Sequence, residues 1–99
     1  MATSIAFTVV GMRFLGLTPE QVLENPVLVL QPEPTNKYDE NAIMVMCRDG
    51  ASQLGHVTRE ETSKVRHVAK KLQKPFPLSV LVLAHDKSEA SVTISAEIL

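Results

Sequence analysis

Asn36-Lys37-Tyr38-Asp39-Glu40-Asn41-Ala42-Ile43 is the segment from which the architecture of this 99-residue chain can be worked out. Its first six residues are polar and follow two prolines, and asparagine and aspartate hydrogen-bond to their own backbone in turns. The chain then changes abruptly into an apolar run of strand length, residues 42–47. The pattern predicts a polar, tyrosine-bearing loop braced by a buried strand, which is how functional groups are commonly presented. Composition alone leaves open that these residues only form a turn.

Six segments around this loop predict short β-strands, because they are apolar or alternate between apolar and polar residues. Arg48, Asp49 and Gly50 separate two of them, and Asp-Gly between strand-like segments is a strong hairpin signal. A polar turn is predicted over residues 85–89, before the last strand. The predicted strands are residues 4–10, 27–30, 42–47, 52–57, 79–84 and 91–95.

Two short helices are predicted between the strands. Thr18 and Gln21 form a capping box at the start of the first helix. Thr58 and Glu61 form a second capping box, and Pro75 ends the helix that follows. Its apolar face holds Val65, Val68, Ala69 and Leu72, and its other faces hold Lys64, Arg66, His67, Lys70, Lys71 and Lys74. Most of the positive charge therefore lies on or beside this helix, either as a binding surface or as a solvated face that keeps the protein soluble.

These elements predict one mainly β domain over residues 1–99, a small OB-like or SH3-like barrel of five to six strands with two short helices. Hydrophobic residues make up 44% of the chain, enough for a modest core, and three Phe, one Tyr and no Trp make that core aliphatic. OB-type barrels often bind oligonucleotides, so the fold class favours a nucleic-acid ligand by analogy.

Composition argues against several classes of function. Cys47 is the single cysteine, which excludes an internal disulfide and a multi-thiolate metal site, and its apolar neighbours predict a buried, inert thiol. There is no phosphate-binding glycine loop, and His56, His67 and His85 lie in separate predicted elements. We therefore expect no metal, no cofactor and no enzymatic activity. A net charge of −1 argues against strong non-specific nucleic-acid binding but leaves room for a local basic surface.

The sequence lacks the features of a targeting segment. Its start has neither the basic region nor the long apolar core of a signal peptide, and no apolar stretch is long enough to span a bilayer. We therefore expect a protein that is not secreted and not membrane-bound. Its expected location is the cytoplasm, or the nucleus in a eukaryote.

Binding chemistry is better represented than catalytic chemistry. Arg13 precedes Phe14, which places a phosphate-binding group beside an aromatic ring. Asn36 and Tyr38 form a second pair of a hydrogen-bonding group and a ring. Single-stranded nucleic acids are recognised by this combination, and stacking contributes about 1–3 kcal/mol per base. Asp39 would repel phosphates, but it can accept a hydrogen bond from an exposed sugar hydroxyl at the end of a strand.

Three segments together resemble the HIRAN domain: residues 9–14 (VVGMRF), 33–45 (EPTNKYDENAIMV) and 54–60 (LGHVTRE). HIRAN domains are OB-like barrels found at the N-terminus of SWI/SNF-type helicases in fork remodelling and DNA repair, and as small stand-alone proteins. The helicase-attached type captures the free 3′-hydroxyl end of single-stranded DNA. The resemblance implies this fold and ligand here, and we expect no motor domain in the chain.

The resemblance also implies roles for individual residues. Asp39 would accept the hydrogen bond from the terminal 3′-hydroxyl, and Tyr38 and Phe14 would stack on the terminal bases. A 3′-phosphate would bring about −1.5 to −2 charges towards Asp39, so a free hydroxyl would be preferred. Asn41 would tie down the loop rather than touch DNA. Contacts with phosphates or base edges would come from Arg13, Asn36, His56 and Arg59, with secondary phosphate contacts from Lys64, Lys70 and Lys71.

We therefore predict a non-catalytic module that binds single-stranded DNA 3′ ends in DNA repair or fork processing, alongside a helicase, a nuclease or another repair protein. The alternative is a protein-interaction module that uses the loop at residues 36–39 or the basic helix at residues 59–74. Leu15 favours this alternative because it stands where the helicase-attached domain has a second ring, unless Phe76 compensates. A nuclease would need a carboxylate cluster that the sequence does not suggest.

Overall fold

The computed structural model describes residues 3–99, whose strands close into a six-stranded antiparallel barrel. The order around the barrel is β1-β4-β3-β2-β5-β6. The strands are β1 (Ser4–Val10), β2 (Val27–Pro32), β3 (Ile43–Met46), β4 (Gln53–Val57), β5 (Leu78–Lys87) and β6 (Val92–Ile98). The predicted mainly β barrel is confirmed.

Alternation along the strands fills the barrel with aliphatic side chains. In β1 the buried residues are Ile5, Phe7 and Val9, and Phe7 is paired with Ile94 of β6. Burial of such a side chain stabilises the fold by about 1.5–3 kcal/mol. β2 lacks this alternation because three consecutive residues, Leu28, Val29 and Leu30, are buried, and its continuous apolar run supplies side chains for both faces.

Two α-helices and two 3-10 turns connect the strands. The helices are α1 (Pro19–Leu23) and α2 (Thr62–Lys71), and the turns are Met12–Leu15 and Arg59–Glu61. The first capping box is confirmed, since the N–H of Gln21 donates to Thr18 Oγ1 at 3.2 Å and the N–H of Thr18 donates to Gln21 Oε1 at 2.8 Å. No helix within residues 3–99 has the length and apolar character needed to cross a membrane.

The second predicted capping box is wrong, and α2 begins four residues after Thr58. Glu61 does not return to the backbone of Thr58. Its Oε1 accepts instead from the Thr58 hydroxyl and from the backbone N–H of Thr8 in β1, both at 2.7 Å. A tertiary contact with the barrel has thus replaced the local cap. A 3-10 turn takes up the intervening residues.

Two further predictions are corrected by the structure. The polar turn predicted over residues 85–89 is shorter, because β5 continues to Lys87 by backbone pairing with β6 and the turn closes between Ser88 and Ser91. Cys47 lies just beyond β3 and is only partly buried. Its thiol donates to Asp49 Oδ1 at 2.8 Å, so it is a turn residue that packs against the edge of the core without being fully buried.

Candidate nucleic-acid interface

A groove of about 250 Å³ opens where the loop before β3 faces β4 and the second 3-10 turn. We call it the loop groove. Its lining comprises Val10, Asn36, Tyr38, Asp39, Ala42, His56, Val57 and Arg59. The structure therefore brings together the predicted site residues of the loop, of β4 and of the turn after β4. Residues 3–99 contain no group of three or more His, Cys, Asp and Glu side chains that could hold a metal ion.

Asn36 shapes the loop from within. Its Oδ1 accepts from the backbone N–H groups of Tyr38 at 2.8 Å and Asp39 at 3.0 Å. Its Nδ2 donates to Glu33 Oε1 at 2.6 Å. A backbone hydrogen bond of 2.9 Å from Glu33 to the carbonyl of Ala42 closes the base of the loop. These contacts present Tyr38 and Asp39 at the groove, while a direct DNA contact of Asn36 stays a prediction.

Tyr38 is an exposed residue of the loop, and the neighbouring Asp39 is half-buried and lines the groove. The Tyr38 side chain is 91% exposed, so its ring has both faces open to a ligand. Asp39 Oδ1 accepts from the backbone N–H of Asn41 at 2.9 Å. Among the described residues Asp39 Oδ2 has no hydrogen-bond donor. The carboxylate is therefore oriented by one oxygen and can accept from a ligand with the other.

His56 is oriented by two polar neighbours. Its Nε2 lies 3.0 Å from Glu33 Oε1, and its Nδ1 lies 3.3 Å from the side-chain nitrogen of Gln53. An ionised carboxylate only accepts hydrogen bonds, so we assign the proton of the neutral ring to Nε2 and the acceptor role to Nδ1. The hydrogen bond from Asn36, followed by that from His56, lowers the pKa of Glu33 below its usual 4.5.

Sequence reasoning missed Glu33 as a part of this site. Its signal was present, because Glu33 begins the central segment of the resemblance and directly precedes the loop. Nothing in the sequence showed that its carboxylate would meet His56, which lies 23 residues further along the chain.

Arg13 and Phe14 lie on the first 3-10 turn, next to the loop groove rather than in its lining. Gly11 and Gly16 flank the turn with positive φ angles of 80° and 72°, a conformation that glycine adopts without strain. Met12 is buried and anchors the turn, while Phe14 is 89% exposed. A Cβ placed on Gly11 would lie 4.0 Å from His56 Nδ1, which puts the start of this turn beside the groove.

The basic side chains of α2 have different surroundings. Lys64 Nζ lies 3.5 Å from Glu61 Oε2, whereas Lys70 and Lys71 are exposed. Arg66 Nη2 donates to the carbonyl of Asn41 at 3.1 Å, and its guanidinium lies 5.9 Å from the centre of the Phe76 ring. Phe76 therefore packs beside α2 and does not line the loop groove.

The model of the HIRAN domain family matches residues 3–97. This chain belongs to the HIRAN domain family. HIRAN domains are DNA-binding domains rather than catalytic ones. The identification made from three sequence segments is confirmed.

Known proteins similar to this HIRAN domain agree with the assignment. The chain is 40% identical over 60 residues to the helicase-like transcription factor of Mus musculus, a match that spans 61% of this chain and 6% of that protein. It is similar to the crystal structure of the HIRAN domain of human HLTF, with a TM-score of 0.65 and 26% identity over 96% of this chain and 74% of that one. A protein from Lactobacillus plantarum shares the fold, with a TM-score of 0.62 and 23% identity over 100% of this chain and 98% of that one.

Proposed function

We propose that this HIRAN domain binds the free 3′-hydroxyl end of single-stranded DNA in the loop groove, without catalysing a reaction. The observation that carries the proposal is the carboxylate of Asp39. The backbone N–H of Asn41 orients one of its oxygens, and the other oxygen is available to a ligand. A carboxylate is a strong acceptor for a hydroxyl donor and repels a phosphate.

End selectivity follows from this chemistry. A 3′-hydroxyl terminus carries a donor for Asp39, whereas a linkage within a strand has no free hydroxyl there. A 3′-phosphate would place about −1.5 to −2 charges beside the carboxylate. The free hydroxyl end is therefore the favoured ligand, and this preference survives at a salt concentration that weakens phosphate contacts.

The side chains around Asp39 suit the nucleotides that precede the end. The exposed rings of Tyr38 and Phe14 supply stacking surfaces, each contributing about 1–3 kcal/mol. Arg13 and Arg59 are exposed cations for the phosphates, and His56 lies in the groove lining, where its ring can contact the strand. Asn36 contributes mainly by holding the loop.

We further propose that the domain marks or protects a 3′ terminus, or recruits a partner such as a helicase or a nuclease to it. Its similarity to a small part of a helicase-like transcription factor supports this role, because a domain of this size would recognise the DNA end for a larger protein or complex. The proposed place of action is the cytoplasm or the nucleus.

The test is fluorescence anisotropy with one oligonucleotide sequence that ends in either a 3′-hydroxyl or a 3′-phosphate, at low and moderate salt. A circular single strand of the same composition serves as a competitor without ends. We expect tighter binding to the hydroxyl end at both salt concentrations and weak competition by the circle. Equal affinity for both ends and for the circle would overturn the proposal. Absence of binding at either salt would also overturn it and favour a protein ligand.

A further inference from the structure

We propose that the bound strand leaves the loop groove past Asn41 and follows the side of α2 that carries Arg66 and Lys70, which bind its internucleotide phosphates. This inference rests on the proposed function of the loop groove. It adds a separate subsite whose ligand class is the phosphodiester.

A second depression lies beside Asn41, which follows the loop-groove residue Asp39 by two positions. It has a volume of about 190 Å³ and is lined by Asn41, Thr62, Ser63 and Arg66. The two depressions have no lining residue in common, but the loop before β3 and the segment after β4 contribute neighbouring residues to both. Asn41 lies in the chain between Asp39 and Ala42, which line the loop groove. On the opposite wall, Thr62 Oγ1 donates to the carbonyl of Arg59 at 3.1 Å.

Arg66 is held in this second depression by neutral groups. Its Nη2 donates to the Asn41 carbonyl, and the Phe76 ring lies against its guanidinium. No carboxylate of residues 3–99 lies within 4.0 Å of it. A guanidinium carries five N–H donors, so a single carbonyl leaves most of its hydrogen-bonding capacity and all of its charge for an anion.

The two sides of α2 that carry basic residues are not equally suited to bind phosphates of the strand. At about 100° per residue, Ser63, Arg66 and Lys70 share the side that adjoins Asn41, whereas Lys64 and Lys71 share the opposite side. Lys70 lies one helical turn, or about 6 Å, beyond Arg66 and is exposed. Lys64 already lies beside the carboxylate of Glu61, which offsets its charge. The route past Asn41 therefore leads to Arg66 and Lys70 first.

The experiment compares charge-matched double variants. Arg66→Gln with Lys70→Gln removes two positive charges from the proposed path, and Lys64→Gln with Lys71→Gln removes two from the opposite side. Arg48→Gln with Lys87→Gln, an exposed arginine and lysine away from both depressions, is the control. Each protein is titrated with a trinucleotide and with a strand of about 12 nucleotides, both ending in a 3′-hydroxyl, over a range of salt concentrations.

We expect the double substitution Arg66→Gln with Lys70→Gln to weaken binding of the longer strand by about tenfold or more. Its slope of log affinity against log salt should fall by about 1.4, because each phosphate contact on a single strand contributes about 0.7. Trinucleotide affinity and the control variant should change little. The variant of Lys64 and Lys71, which the resemblance also names as secondary phosphate contacts, should lose less affinity for the longer strand than the variant of Arg66 and Lys70. Lys70→Gln alone should lower the slope by about 0.7, and it tests the path without disturbing the bond between Arg66 and Asn41.

The inference would be overturned if the two double variants of α2 lost the same affinity for the longer strand. It would also be overturned if the Arg66 and Lys70 variant kept the salt slope of the unmodified protein. A loss of trinucleotide affinity equal to that of the longer strand would also overturn it, because Arg66 would then act only through the loop. These failures differ from failure of the proposed function, which would appear in the unmodified protein as a lack of preference for the hydroxyl end.

Discussion

Glu33 and His56 meet with 3.0 Å between Oε1 and Nε2, although 23 residues separate them in the chain. The same carboxylate oxygen accepts from the side-chain amide of Asn36 at 2.6 Å. Asn36 in turn holds the backbone of Tyr38 and Asp39. One carboxylate therefore couples β4 to the loop, and the residues proposed to bind DNA depend on it for their positions.

This coupling predicts a pH dependence of stability. The hydrogen bonds from Asn36 and His56 lower the pKa of Glu33, so the ionised carboxylate stabilises the folded state. That contribution is fully present above the usual value of 4.5 and is lost as the pH falls through the lowered pKa. We expect Glu33→Gln to lower the melting temperature at neutral pH and to reduce its further fall in acid. Thermal unfolding at a series of pH values measures both effects.

Glu40→Gln is the matched control for this experiment, because Glu40 is an exposed carboxylate of the same loop. The control should melt like the unmodified protein. If the two variants give the same pH profile, the contacts of Glu33 do not contribute to stability as described.

The two exposed rings predict affinity losses without stability losses. Tyr38→Ala and Phe14→Ala should each weaken binding of a 3′-hydroxyl oligonucleotide by about 1–3 kcal/mol, the contribution of one stacked base. The melting temperature should stay unchanged, because both side chains are almost fully exposed. Anisotropy and thermal unfolding measure the two quantities. Tyr38→Phe keeps the ring and should keep the affinity, and a Tyr38→Ala variant with full affinity would remove Tyr38 from the site.

The charge of Asp39 should determine the preference for a 3′-hydroxyl over a 3′-phosphate. Asp39→Asn keeps an oxygen for the N–H of Asn41 but removes the charge. We expect the preference for a 3′-hydroxyl over a 3′-phosphate to shrink, mainly because the phosphate end binds more tightly. Glu40→Gln removes the same charge from the neighbouring residue and should leave the preference intact. An Asp39→Asn protein that discriminates as strongly as the original would contradict the proposed role.

At Gly55, β1 and β4 pack too closely to leave room for a side chain. A Cβ at this position in β4 would lie 2.7 Å from the carbonyl oxygen of Val10 and 2.8 Å from Val9 Cγ1. Gly55→Ala should therefore force β1 and β4 apart and destabilise the fold by about 1–3 kcal/mol. Gly50→Ala places its methyl in open space and should cost less, although its φ of 73° adds strain. Denaturant unfolding of both variants gives the comparison, and equal losses would exclude the close approach as the cause.

Elements with strong local signals were predictable. The alternation in β1 and the capping box of Thr18 and Gln21 both appear in the structure, because short-range geometry determines them. Predictions failed where a distant partner competed with a local one. Glu61 was predicted to cap the helix locally. Its carboxylate accepts instead from the backbone N–H of Thr8 in β1, and α2 begins only at Thr62. Burial opposes ionisation of Glu61, yet the hydrogen bonds from Thr58 and Thr8 outweigh it and lower its pKa.

The sequence by itself determined the family, the mainly β barrel and the candidate residues, because these depend on residue types, their order and short-range periodicity. Only the tertiary structure decided which of those residues share a groove and how each is held. Barrel closure brings the loop against β4, so that Glu33 reaches His56, and it places α2 beside the loop, so that Arg66 reaches the carbonyl of Asn41. Such contacts depend on strand pairing between distant segments, which residue order along the chain does not reveal.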